Sequence, residues 1–135
     1  MQTLESCGIF TKRDDEWTAG RVYMGGGTSN APDVRPQKIL RAIDIRDGHA
    51  TWALPQIGDG GTRSGTLATA TGLVFFGEDS GAIMAVDAAS GKPLWHFQTS
   101  QTLRASPMTY SFDGRQFVAI AAGPNVIAFS LPAAR

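Results

Sequence analysis

The sequence predicts an all-β protein made of repeated antiparallel sheets. Two observations lead to this prediction: the chain is rich in turn residues, and it repeats at a fixed interval. Of its 135 residues, 16 are Gly and 7 are Pro, and no long amphipathic pattern with the helical period of about 3.6 is present. The interval of 43 residues falls within the range of about 20 to 50 that is typical of solenoids and propellers.

The repeat is carried by the motif Ala-x-Asp-x-x-x-Gly-x-x-x-Trp, which occurs twice. The first copy spans residues 42–52 and the second spans residues 85–95, so that every position recurs 43 residues further on. A further step of 43 residues reaches the segment 126–131, which repeats the strand but has Ser130 in place of the aspartate. The alternative is a pair of unrelated hairpins with chance similarity.

Each motif predicts a strand, a tight turn and a second strand. We expect the aspartate to cap N–H groups of the turn and the glycine to adopt a positive φ. The small alanine leaves room for a large ring from a neighbouring repeat, so Trp52 and Trp95 are expected to lie between stacked sheets. These features together are typical of four-stranded propeller blades.

Further strands are predicted between the motifs from short apolar segments with turn residues at their ends. They are residues 66–70, 73–76, 107–112 and 116–121. The Asp113–Gly114 pair favours a type I′ hairpin turn.

The repeat also predicts how the chain is divided. We expect a loop-rich segment at 1–38, blade repeats at about 39–81 and 82–124, and a partial repeat at 125–135. Within the first segment, residues 25–36 have no periodicity and are expected to form a surface loop or a mobile linker.

The composition excludes partners that are recognised through bulk charge. The 12 basic and 12 acidic residues create no net field towards nucleic acid or an anionic membrane. Cys7 is the single cysteine, which excludes an internal disulfide, and it is expected to be a small buried apolar residue. No segment approaches the roughly 20 apolar residues of a membrane span, and no export signal is present. We therefore expect either a cytoplasmic chain or an export signal encoded outside this sequence.

Several segments taken together resemble a known family. Residues 65–77, followed by the second motif, resemble the C-terminal blades of quinoprotein alcohol and methanol dehydrogenases, which depend on pyrroloquinoline quinone (PQQ). Residues 106–110, 113–119 and 122–125 continue the resemblance in order. It implies a partial β-propeller of about three four-stranded blades of an eight-bladed type, with tryptophan-docking motifs. The first motif departs from the family pattern, with His49 where Lys is usual.

The resemblance also implies a reaction. Members of this family oxidise an alcohol or aldose by hydride transfer to PQQ, with a calcium ion that polarises the quinone and an aspartate that acts as base. Both the aspartate and the calcium ligands belong to earlier blades, and no segment here matches them, so no catalytic or metal-binding residue is assigned. The chain is expected to complete the propeller and one wall of the quinone pocket, and to be inactive alone. A cytochrome as electron acceptor and a periplasmic location are implied as well.

Six residues fall where the family's loops face the cofactor. They are Glu5, Arg63, Ser64, Gly65, Gly123 and Asn125. An arginine would suit the carboxylates of the quinone through bidentate pairing. The alternative for Arg63 is a solvated loop residue, because loops commonly carry exposed charge.

Two other functions remain open at this point. The first is a non-enzymatic propeller of the PQQ-like repeat type that acts as a scaffold, of the kind that takes part in outer-membrane protein assembly. The second is self-association, because open blades expose unpaired strand edges and apolar faces.

Overall fold

The structure is a computed structural model that describes residues 1–58 and 64–131. All regular secondary structure in this part of the chain is β-strand, as the sequence predicts. The strands are β1 (Gln2–Glu5), β2 (Gly8–Lys12), β3 (Gly26–Asn30), β4 (Gln37–Ile43), β5 (Ala50–Pro55), β6 (Thr66–Ala68), β7 (Leu73–Gly77), β8 (Ala82–Asp87), β9 (Pro93–Gln98), β10 (Met108–Phe112), β11 (Arg115–Ala122) and β12 (Asn125–Ser130).

The strands form three antiparallel sheets and a separate hairpin. The first sheet has the order β1-β4-β5, the second β6-β7-β8-β9 and the third β10-β11-β12, while β2 pairs only with β3. Successive strands along the chain are neighbours in the second and third sheets, which is the meander expected of propeller blades.

The sequence repeat and the sheets are out of phase. A step of 43 residues carries β8 onto β12 and β5 onto β9 without change of length. The predicted repeat borders after residues 81 and 124 fall between strands that are hydrogen-bonded to each other in one sheet. Each repeat therefore supplies strands to two adjacent sheets.

The segment 1–38 contains more regular structure than its sequence suggests. β1 joins the first sheet by pairing with β4, and β2 and β3 form an exposed hairpin that takes up part of the predicted loop 25–36. The Gly-rich β3 lacks alternating apolar residues because neither of its faces is buried, so the usual pattern of a strand is missing. Cys7, expected to be buried, is exposed beside this hairpin, where no sheet covers it.

The sheets stack through apolar faces at equivalent repeat positions. Leu40 of the first sheet packs against Phe76 and Val86 of the second, and its exposed fraction is 1%. Ile83, which is 43 residues further on, packs against Leu103 and the third sheet and is fully buried. Each buried large apolar side chain of this kind contributes about 1.5 to 3 kcal/mol to stability.

The two motif turns share their backbone conformation. Gly48 and Gly91 have φ of 77° and 71°, and their N–H groups each donate at 2.8 Å to the carbonyl of the motif aspartate. Asp44 accepts from the N–H of Arg46 at 2.9 Å, and Asp87 accepts from the N–H of Ser90 at 2.8 Å. The predicted role of both residue types is confirmed.

These contacts lower the pKa of both carboxyl groups. The side-chain hydrogen bond from Arg46, and then its backbone N–H, hold the pKa of Asp44 below its ordinary value. The hydroxyl and then the N–H of Ser90 have the same effect on the pKa of Asp87. Both groups are therefore favoured in the ionised, hydrogen-bond-accepting form.

The hairpin turn between β10 and β11 also follows the prediction. Asp113 and Gly114 have φ of 49° and 72°, and the flanking residues Phe112 and Arg115 are directly paired. Two central residues with positive φ define the type I′ turn, whose twist matches that of the flanking strands.

The indole ring of Trp52 lies between the first two sheets. Its Nε1–H donates to the carbonyl of Ala88 at 2.9 Å, and a Cβ at Gly91 would lie 2.5 Å from the ring. The first motif's tryptophan thus covers the turn of the second motif. The ring of Trp95 in turn makes an edge contact with Phe129 of the third sheet, with 5.0 Å between ring centroids.

Candidate functional site

Alternate connections between strands lie at the same end of the sheets. The connections β5–β6, β7–β8, β9–β10 and β11–β12 all lie there, because consecutive strands run in opposite directions. We call it the loop end. Residues that sequence reasoning assigned to the cofactor lie in these connections or beside them.

Ser64 and Gly65 lie where the chain enters β6 at the loop end. The Ser64 hydroxyl is buried and donates to the carbonyl of Gly77 at 2.9 Å, and it also contacts Oε1 of Gln2 at 3.2 Å. The Gly65 N–H donates to the Ser106 hydroxyl at 3.0 Å, and a Cβ at Gly65 would collide with that side chain. The two residues thus link the first sheet, the second sheet and the β9–β10 connection.

Gly123 and Asn125 lie at the turn between β11 and β12. Gly123 has φ of 60°, and a Cβ there would lie 2.6 Å from Oε1 of Gln101 in the neighbouring connection. Asn125 begins β12 and is exposed. The turn therefore needs its glycine, whereas the Asn125 side chain is accessible.

Glu5 lies at the same end, at the last residue of β1. Its register partner is Gln37, the first residue of β4. The carboxylate of Glu5 forms an ion pair with Arg41, whose guanidinium also donates to the Thr3 hydroxyl at 2.9 Å.

The structure thus brings five of the six predicted residues to one end of the sheets. Arg63 lies outside the described residues. Two cavities, of about 410 and 790 Å³, are present in the described part of the chain, and none of the five residues lines either of them. Their assignment to a cofactor stays a prediction.

A buried ion pair at the loop end was not found by sequence reasoning. Nζ of Lys38 lies 2.9 Å from Oδ1 of Asp79, and the two side chains are 4% and 8% exposed. Lys38 belongs to the first sheet and Asp79 to the β7–β8 turn of the second. The only sequence signal is a lysine at the start of an apolar strand, which does not reveal a partner 41 residues away.

Gln56 follows β5 at the same end and was also missed. Its N–H donates to the carbonyl of Lys38 at 2.9 Å. The two polar atoms of its buried side chain have no hydrogen-bond partner within the described ranges. An unsatisfied buried amide of this kind costs about 1 to 3 kcal/mol.

Residues 1–58 and 64–131 contain no group of three or more His, Cys, Asp or Glu side chains that could hold a metal ion. A search of the same residues for a helix long and apolar enough to cross a bilayer found none.

Comparison with known proteins identifies the repeats. Residues 55–118 match the family model described as "Glucose/ethanol/alcohol dehydrogenase, beta-propeller domain" of the PQQ type. The chain is 40% identical over 120 residues to 1-butanol dehydrogenase (quinone) of Thauera butanivorans, a match that covers 81% of this chain and 18% of that enzyme.

Solved structures show the same fold. A quinohemoprotein alcohol dehydrogenase, ADHIIG, of Pseudomonas putida HK5 superposes with a TM-score of 0.79 at 25% identity, over 93% of this chain and 20% of that one. BamB of Moraxella catarrhalis superposes with a TM-score of 0.55 at 21% identity, over 95% of this chain and 49% of that one. The likeness to BamB concerns the fold alone.

The fold is that of a partial β-propeller similar to those of quinoprotein dehydrogenases, and the predicted fold class is confirmed. The resemblance to the C-terminal part of a PQQ-dependent alcohol dehydrogenase-like quinoprotein is confirmed with it. The chain spans about a fifth of the length of the dehydrogenases that it matches.

Proposed function

We propose that this chain forms the C-terminal blades of a PQQ-dependent dehydrogenase that oxidises an alcohol or aldose. Its part is to complete the propeller and to form one wall of the quinone pocket, and it has no turnover alone. The observation that carries the proposal is that, among the described residues, the first and third sheets each leave apolar side chains exposed on their outer faces.

A comparison of repeat-equivalent positions supports the proposal. Leu40 and Ile83 are buried by the sheet that follows each of them, whereas Val126, 43 residues after Ile83, is 75% exposed. On the opposite side, Val86 is fully buried by the preceding sheet, whereas Ile43, 43 residues earlier, is 38% exposed. Further propeller blades are the partners that would cover both faces.

The loop end would contribute the pocket wall. A bound quinone would supply the hydride acceptor for the alcohol, and a bound calcium ion would supply the positive charge that polarises it. Most described candidates fit a supporting role there, because Glu5 and Ser64 are already engaged by protein groups and Gly65 and Gly123 pack directly on neighbouring side chains. Asn125 has an accessible amide that suits a polar contact. Arg63 remains the proposed partner of the quinone carboxylates.

We also propose that Trp52 and Trp95 are docking residues of the propeller type. The Trp52 contact with the turn of the next sheet supports this role. The Trp95 ring reaches the third sheet through Phe129, but the position equivalent to Gly91 lies at residue 134, outside the described residues.

The remaining features of the proposal follow from the same family. They are a periplasmic location, a cytochrome as electron acceptor and a small alcohol as substrate. The alternative is a non-enzymatic propeller scaffold, but the likeness to BamB concerns the fold alone and lies at lower identity than the match to the butanol dehydrogenase.

A chimera tests the enzymatic proposal. The matched C-terminal part of the Thauera butanivorans enzyme is replaced by this chain, and the protein is loaded with PQQ and calcium. We expect alcohol-dependent dye reduction by the chimera and none by the 135-residue chain under the same conditions. The matched control carries the corresponding blades of Moraxella catarrhalis BamB.

A folded chimera that retains no alcohol oxidation would contradict the proposal. So would equal activity of the BamB control, since any propeller blades would then serve. Circular dichroism and size-exclusion chromatography establish that both chimeras are folded before their activities are compared.

A further inference from the structure

The interface between the first two sheets contains a buried ion pair to which the proposed dehydrogenase assigns no role. Nζ of Lys38 in the first sheet lies 2.9 Å from Oδ1 of Asp79 in the second, and both side chains are buried. Leu40, two residues further along β4, packs on the second sheet from the same face of the strand. The two charges therefore lie at the border of the apolar contact that holds these sheets together.

The next interface has glycine at the position that corresponds to Lys38. The N–H of Gln56 donates to the carbonyl of Lys38 at 2.9 Å. One repeat of 43 residues later, the N–H of Thr99 donates to the carbonyl of Gly81, also at 2.9 Å. Because these backbone contacts are equivalent, Gly81 occupies in the second sheet the place that Lys38 occupies in the first. The ammonium group of Lys38 has no counterpart at this position.

Glycine also stands at the position that corresponds to Asp79. The strand partners of Gly77 in β7 and of Ala121 in β11 lie at the same repeat position in β8 and β12. Asp79 follows Gly77 by two residues, and Gly123 follows Ala121 by two residues. Gly123 therefore occupies in the third sheet the place that Asp79 occupies in the second.

Gln101 occupies the space between the two glycines of the second interface. A Cβ at Gly81 would lie 2.7 Å from the backbone carbonyl oxygen of Gln101, and a Cβ at Gly123 would lie 2.6 Å from its Oε1. This interface is therefore closed by the connection that follows β9, without charged side chains at the two glycine positions. Both interfaces are apolar at their centres, but they differ here in charge.

The repeats make the apolar faces of the sheets similar, so apolar burial alone discriminates poorly between stacking partners. Leu40 and Ile83 occupy the same repeat position, and each is buried by the sheet that follows it. If the first sheet stacked on the third, Lys38 would face Gly123 in place of Asp79. Burial of a charge that has lost its opposite charge is strongly destabilising, so this arrangement is disfavoured. We propose that the Lys38–Asp79 ion pair selects the second sheet as the stacking partner of the first.

Trp52 provides a measurement of which sheet lies beside the first. Its Nε1–H donates at 2.9 Å to the carbonyl of Ala88, which follows β8 of the second sheet. The indole N–H signal of Trp52 in a two-dimensional NMR spectrum therefore depends on this contact. The chain has three tryptophans, and Trp52→Phe identifies the signal by its loss. Correct stacking alone gives one Trp52 signal.

Removal of both charges tests the proposal in the full chain. Lys38→Met and Asp79→Asn together keep the approximate shapes of the side chains and should leave the chain folded, because loss of a complete buried ion pair is often nearly neutral for stability. We expect a second Trp52 signal with about a tenth of the intensity or more, at a position different from that in the urea-unfolded chain. Leu40→Val is the matched control, since it weakens the same interface without a change of charge, and it should keep a single Trp52 signal.

A single Trp52 signal in the charge-free variant would overturn the proposal. So would a second signal that coincides with that of the unfolded chain, or one of equal intensity in the Leu40→Val control. Failure of the charge-free variant to fold would overturn it as well, because the ion pair would then be needed for folding itself and not for the choice of partner. The measurement requires no PQQ, so the proposed dehydrogenase is tested separately.

Discussion

Two glycines at the same repeat position differ in what surrounds them. Gly48 and Gly91 both have positive φ in the motif turn, but only Gly91 lies under an aromatic ring, that of Trp52. No atom beyond its own neighbours lies within 4 Å of a Cβ placed at Gly48. A comparison of substitutions at Gly48 and Gly91 therefore separates two contributions to stability. One is the free-energy cost of a positive φ for a residue with a side chain, and the other is the cost of disturbing the contact between sheets.

Substitution of each glycine by alanine should therefore have unequal effects. Gly48→Ala should lower the free energy of unfolding by about 1 to 2 kcal/mol, which is the cost of the left-handed conformation. Gly91→Ala should lower the free energy of unfolding by about 1 to 3 kcal/mol more than Gly48→Ala does, because the new Cβ collides with the Trp52 ring. Urea unfolding monitored by tryptophan fluorescence measures both values. Equal destabilisation would show that the ring contact contributes little.

Residue chemistry explains which contacts of the molecule were predictable. Gly91 and Asp87 recur in a motif, so their local roles followed from the sequence. The Lys38–Asp79 ion pair joins two sheets and depends on how these sheets stack, which no local pattern encodes. Gln56 likewise shows its unsatisfied amide only once the surrounding sheets have buried it.

At the scale of the element, the turn between β8 and β9 depends on an ionised aspartate. Hydrogen bonds from Ser90 lower the pKa of Asp87. A carboxyl group whose pKa is lower in the folded state contributes stability that is fully present above its unfolded-state pKa of about 3.9 and is lost as the pH falls through the folded-state value.

Asp87→Asn should therefore remove part of the acid dependence of stability. At neutral pH the variant should be less stable than the unaltered chain, and the difference should shrink as the pH falls below about 3.9. Urea unfolding over a pH series measures the difference. Asp33→Asn, at an exposed position, is the control and should keep the pH dependence of the unaltered chain. A difference that stays constant with pH would contradict the role of ionised Asp87.

The elements also show where sequence patterns succeed and fail. Strands such as β8 and β11 lie within sheets, and their apolar residues revealed them. The exposed β2–β3 hairpin has no buried face, so it lacked an apolar signal and its second strand fell within a predicted loop.

At the scale of the whole molecule, two apolar faces lie at the ends of the stack. The outer face of the third sheet includes Met108, Tyr110 and Val126, all exposed. The outer face of the first sheet includes Ile43, which is equivalent in the repeat to the buried Val86. In the absence of further blades, a second copy can place its first sheet on the third sheet of another, and this heterologous contact can propagate.

We therefore expect concentration-dependent association of the 135-residue chain. Val126→Lys should weaken it at least tenfold, because about 1.5 to 3 kcal/mol of apolar burial would be lost. Val22→Lys is the control, since Val22 is 89% exposed in the connection between β2 and β3. Sedimentation velocity measures the association. A monomer that persists from about 1 μM to about 1 mM would refute the expectation.

The connection between β1 and β4 spans residues 6–36, whereas the equivalent connection between β7 and β8 spans only residues 78–81. The logarithmic dependence of loop-closure entropy on length makes this eightfold lengthening cost only about 2 kcal/mol. Insertions in this connection are therefore tolerated while the strand pairing between β1 and β4 stays intact. The same connection is a suitable position for inserting a foreign peptide without disturbing the sheets.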